Sequence, residues 1–74
     1  MTLVQLRHFL ELANLGSFSK ASAKLFLTQP ALSRSIQSLE EELGQTLFDR
    51  VGRKSELTPF GRHIVGQARE LVEG

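Results

Sequence analysis

Gln29, Ser33, Arg34 and Gln37 recur at spacings of three and four along a segment that carries no acid until Glu40. At about 100° per residue they share with Pro30 an arc of about 140°, whereas Leu32, Ile36, Leu39 and Leu43 fall within about 60° elsewhere. One face packs and the other is free. Amides and a guanidinium on such a face match the edges of base pairs. Glutamine can pair with adenine N6 and N7, arginine with guanine O6 and N7, and an apolar ring can touch a thymine methyl. Taken singly, each residue also has a plainer reading: Pro30 as a helix-start residue, Gln29 as a solvated helix end, Ser33 as an exposed serine, Arg34 as a surface charge. Their conjunction on one helix face carries the argument.

The elements that must position this face are legible around it. Thr2 followed by Gln5 is a capping box, and Leu3, Leu6, Leu10 and Ala13 recur beside Phe9 and Leu12, which predicts a first helix over about 3–14. Gly16 ends it, Ser17 caps a short second helix with Phe18, Ala21 and Leu25 on one side, and Thr28 caps a third, with Pro30 in its first turn and Gly44 at its close. A short capped helix, about three connecting residues and an amphipathic helix with an acid-free polar face fit a helix-turn-helix that reads duplex DNA. Residues 47–57, with a Gly-containing turn, predict a β-hairpin. Thr58-Pro59 then opens a fourth helix, striped by Phe60, Ile64, Ala68 and Leu71 with Val65 and Val72 alongside, and no stop signal precedes Gly74.

Composition bounds the alternatives. Seventy-four residues make one small domain, and with no Cys it must stand on its 41% hydrophobic residues rather than on disulfides or a thiolate zinc site. The longest apolar runs are three residues, as in Leu25-Phe26-Leu27, against the ~20 needed to span a bilayer, so no membrane role is expected. The net charge of +1 hides an uneven distribution: Lys20, Lys24 and Arg34 occur without an acid from Gly16 to Leu39, and Arg50, Arg53 and Lys54 cluster later. His8 and His63 are too isolated for a metal or nucleophile site. Glu40, Glu41 and Glu42 point in different directions as consecutive helical residues, so no enzyme is expected. The stronger rival is a helical interaction module that binds a partner helix through Phe60 to Val72.

Ser17-Phe18-Ser19-Lys20-Ala21, Gln29-Pro30-Ala31-Leu32-Ser33-Arg34-Ser35-Ile36, Leu39-Glu40-Glu41-Glu42-Leu43-Gly44, Leu47-Phe48-Asp49-Arg50 and Leu57-Thr58-Pro59-Phe60-Gly61 closely resemble the N-terminal DNA-binding domain of bacterial LysR-type transcriptional regulators. The resemblance spans essentially the whole chain, in order. It implies a mainly α, winged helix-turn-helix domain over 1–58, with the motif at about 18–37, the recognition helix at 29–43 and the wing at about 47–57. A linker helix over 59–74 would pair two subunits. By position, Gln29, Pro30, Ser33 and Arg34 resemble the base-reading set, and Arg53 a minor-groove or phosphate contact. Lys54, Arg50, Lys20, Ser17 and Thr28 resemble backbone contacts, with Arg50 alternatively held by an acid such as Asp49. Phe60, Ile64, Val65, Ala68, Leu71 and Val72 would form the dimer surface. The resemblance further implies a cytoplasmic homodimer, with higher oligomers in a full-length protein, on an interrupted inverted repeat of double-stranded DNA. No cofactor is expected in this domain; a small-molecule effector would belong to a C-terminal domain absent from this chain. Two positions depart from the family pattern. Phe26 stands in the motif turn where a polar residue or glycine is commoner, so that turn is expected to be shaped by packing. Phe60 stands where a small residue is usual.

Overall fold

The computed structural model describes residues 1–73. It contains α1 (Leu3–Leu15), α2 (Phe18–Leu25), α3 (Gln29–Leu43), β1 (Phe48–Val51), β2 (Lys54–Leu57) and α4 (Pro59–Glu73). Gly74, the last residue of the expected linker helix, lies outside the described residues. The fold is mainly helical with one antiparallel hairpin, a winged helix-turn-helix.

Each boundary has a local cause. The Thr2 hydroxyl accepts from the Gln5 N–H at 3.1 Å, and the Thr2 N–H donates to Gln5 Oε1 at the same distance, closing the capping box of α1. Ser17 and Thr28 cap α2 and α3 by accepting from the Lys20 and Ala31 N–H groups. Thr58 does more than cap. Its hydroxyl accepts from the Gly61 N–H at 3.0 Å and donates to the Thr46 carbonyl at 2.8 Å, so the start of α4 is tied to the segment entering the hairpin.

The interior gathers on α1, against which α2, α3 and α4 all pack. Phe9 and Leu12 of α1 are fully buried with Leu32 and Leu39 of α3, Ala21 of α2 and Leu47 before β1. Each large side chain among these contributes about 1.5–3 kcal/mol by leaving water. The Phe9 and Phe48 rings meet edge-on, centroids 5.6 Å apart, which holds the hairpin to α1. Leu3, expected on the apolar face, is instead 56% exposed, because Leu6, one turn on, is the first α1 residue to reach the core. Phe60, Ile64, Val65 and Val72 are partly buried against the core, and Ala68 is 1% exposed within it.

In the hairpin, Phe48 pairs with Leu57, Asp49 with Glu56, Arg50 with Ser55 and Val51 with Lys54. The turn thus spans Val51 to Lys54 with Gly52-Arg53 at its centre, the Gly-containing turn expected. Gly52 takes the positive φ that the first residue of a tight II′ hairpin requires. Strand alternation sends Arg50 and Ser55 to the face that meets the helices, and Asp49 and Glu56 to the opposite one. The Ser55 N–H donates to the Gly16 carbonyl at 2.9 Å, fastening β2 to the end of α1.

Candidate nucleic-acid interface

α3 is held from behind and open in front. Leu32, Ile36 and Leu39 are buried, and two side-chain bonds latch the helix to α1: His8 Nδ1 with Ser35 Oγ at 2.7 Å, and Gln5 Nε2 donating to Ser38 Oγ at 3.3 Å. Partial burial of the His8 ring lowers its pKa below the ordinary 6.5 by desolvation. On the other side Gln29, Pro30, Arg34 and Gln37 are exposed and Ser33 is half-buried. The free face expected from the sequence is therefore real, and it runs from Gln29 to Gln37.

Of the other expected residues, Thr28 caps α3 itself, and the rest come from the start of α2 and from the hairpin, which the fold brings together beside this face. A cleft of about 380 Å3 is lined by Ser17, Phe18, Gln29, Arg50, Arg53 and Lys54 among others. A neighbouring cleft of about 420 Å3 shares Ser17, Arg53 and Lys54 and adds Lys20. The starts of α2 and α3 and the hairpin tip thus converge. The Ser17 and Thr28 oxygens accept their helix caps, which leaves both O–H protons free to donate outward. Beside them lie the N–H-rich ends of two helices, which favour anions.

The ion pairs among the described residues join the Met1 amino group to Glu42 and Lys24 to Glu11. Neither uses Lys20, Arg34, Arg50, Arg53 or Lys54, so these cations keep their charge for a partner. For Arg50 the structure sets aside the alternative in which an acid such as Asp49 holds it: Asp49 lies on the other face of the strand, and the Arg50 guanidinium stacks over the Phe18 ring, 4.3 Å from its centroid. Phe18, expected from the sequence only on the apolar side of α2, thus also carries the Arg50 guanidinium.

Two further residues have roles that spacing did not reveal. Glu40 is turned from the reading face to the hairpin, its Oε2 accepting from the Leu47 N–H at 2.6 Å and the Phe48 N–H at 3.4 Å. Phe26 is not packed into the turn as expected but is 95% exposed. In α4, Ala68 is enclosed by the protein's own core and has no surface to offer a second chain, a correction to its place in the dimer set. Leu71 at 63% exposure offers the most.

Among the described residues, no group of three His, Cys, Asp or Glu side chains could hold a metal ion, and no helix is long and apolar enough to cross a membrane. Residues 3–62 match the family described as "Bacterial regulatory helix-turn-helix protein, lysR family". The chain is 51% identical over 70 residues to the SDS degradation transcriptional activation protein of a Pseudomonas species, covering 95% of this chain and 23% of that protein. Relatives of this kind are named as transcriptional regulators, not enzymes, and the chain spans about a fifth to a half of their length. Its fold is similar to the BenM DNA-binding domain solved with benA site 1 DNA, with a TM-score of 0.93, 44% identity, and coverage of 99% of this chain and 85% of that one. It is equally similar to the CbnR DNA-binding domain in a DNA complex, at TM-score 0.94 and 36% identity, covering 99% and 84%.

Proposed function

The chain belongs to the lysR family of bacterial helix-turn-helix regulators, and from that premise we propose that it reads a specific duplex sequence as a dimer on an interrupted inverted repeat. α3 enters the major groove N-terminus first, and Gln29, Pro30, Ser33 and Arg34 meet base edges. Arg53 at the hairpin tip lies at the minor groove or backbone. Lys54, Lys20, Ser17 and Thr28 meet phosphates, as does Arg50, aimed by its stack on Phe18. Residues 1–58 act as the DNA-binding domain and 59–74 as the linker helix. No cofactor enters this scheme, and an effector, where one acts, binds a domain outside this chain in a cytoplasmic regulator.

The observation that carries the reading is the convergence of cations outside the ion pairs: Arg50, Arg53 and Lys54 of the hairpin line the same cleft as Gln29, and Lys20 of α2 lines the neighbouring cleft that shares Arg53 and Lys54. A helical interaction module has no need of that arrangement. Salt separates the two. Contacts to Z phosphates give log K falling with log salt at a slope of about −0.9Z, whereas an apolar helix contact is nearly indifferent to salt. Titration of random-sequence duplex at several salt concentrations is expected to give a slope of several units; no binding at low salt would refute the reading.

The dimer is proposed to form through Leu71 with the part-exposed Ile64, Val65 and Val72, and Phe60 at the margin. Two-fold pairing there would set two recognition helices on half-sites related by the same symmetry.

A further inference from the structure

The turn between α2 and α3 holds a side chain that the fold does not use. Phe26 caps the C-terminus of α2 with φ at 57°, the one non-glycine residue with positive φ among those described. Its N–H reaches back to the Ala23 and Ser22 carbonyls, and the Leu27 N–H donates to the Ser22 carbonyl at 2.9 Å. These backbone bonds require a left-handed residue and no particular side chain. Glycine takes that conformation without strain, whereas an L side chain sets its Cβ against the following carbonyl. α1 and α3 end in the same conformation on Gly16 and Gly44. The Phe26 ring adds nothing to the interior in return: the residue is 95% exposed, while Leu25 and Leu27 on either side pack on the core. A strained backbone that carries an unburied aromatic lowers the stability of the free protein, and such an outlier points to use outside the fold.

The neighbours say where that use lies. Thr28, Gln29, Pro30 and Ala31 are all exposed, so the turn and the first turn of α3 form one projecting edge, continuous with the reading face. When a recognition helix enters the major groove N-terminus first, the turn before it lies against the groove wall, which is deoxyribose and phosphate. We infer that the Phe26 ring packs on the deoxyribose of that wall, a contact that is apolar, independent of sequence and free of charge. The inference rests on the DNA-binding reading above. A protein partner would call for a wider apolar patch, and the other large exposed apolar residues, Met1, Leu3, Val4, Val51 and Leu71, belong to α1 and the residues before it, β1 and α4.

The test compares Phe26→Gly and Phe26→Tyr with the parent on a random-sequence duplex and on a duplex selected from a random pool, across a range of salt, with thermal unfolding of each protein. Phe26→Gly is expected to unfold about 4 °C higher. It should nevertheless bind both duplexes about tenfold more weakly. The salt slope should not change, because no phosphate contact is lost. Phe26→Tyr keeps the ring and should bind as the parent does. Affinity of Phe26→Gly equal to the parent on both duplexes, or a shallower salt slope, would overturn the contact. Failure of the underlying reading is distinguishable: the parent itself would then show no salt-dependent binding to either duplex, and the contact falls with it.

Discussion

At the scale of single residues, base readers and backbone contacts are distinguished by what they lose. Arg34 and Gln29 stand on the exposed face of a helix whose other side is fixed in the core. Arg34→Ala and Gln29→Ala should each cost about 1–3 kcal/mol on the preferred duplex and much less on random DNA. Equal losses on both would make them backbone contacts. Arg53→Ala should weaken every sequence alike and shallow the salt slope by about one unit; an unchanged slope would remove the hairpin tip from the interface. His8 answers to pH instead. Desolvation lowers its pKa in the folded protein, so the unfolded chain takes up the proton first as pH falls. The stability tied to the neutral ring is present above pH 6.5 and is lost as pH falls through the lower folded value. Denaturant unfolding at pH 7.5 and 5 should show the loss, and His8→Asn should shrink it; an equal loss in His8→Asn would assign it to other groups.

At the scale of elements, helix ends were the most legible part of the sequence, because caps act within four residues. Thr2, Ser17, Thr28 and the Thr58-Pro59 pair all stand where their elements begin. What stayed hidden joins distant residues: Arg50 on Phe18, Ser35 with His8, Glu40 with the Leu47 N–H. No periodicity encodes such pairs, since they depend on how the elements pack together. The burial of Ala68 and the exposure of Phe26 were hidden for the same reason. Packing also divides two glycines of α4 that sequence cannot tell apart. A Cβ on Gly61 would overlap the Leu47 carbonyl oxygen and come within 3.0 Å of Leu57 Cδ2, whereas one on Gly66 meets open space. Gly61→Ala should therefore destabilise by about 1–3 kcal/mol, and Gly66→Ala should stabilise by about 0.5–1 kcal/mol. Comparable stabilities for the two variants, read from urea midpoints, would contradict the close contact of α4 with the hairpin entry.

At the scale of the whole molecule, the small core divides α4 between two tasks. Ala68 and the inner sides of Ile64 and Val72 complete the protein's own interior, and Leu71 is left outside. Leu71→Glu should thus spare the fold and single half-site binding while abolishing the two-copy complex on a full repeat. Sedimentation with labelled duplex decides it, and a surviving two-copy complex would put the dimer surface elsewhere. Selection of bound duplexes from a random pool tests the central claim most directly, because recognition by α3 and two-fold pairing through α4 must both appear in the recovered sequences. The expected result is an enriched interrupted inverted repeat with a fixed spacing between half-sites. A recovered pool with no enriched sequence, or a single half-site with no symmetric partner, would contradict it.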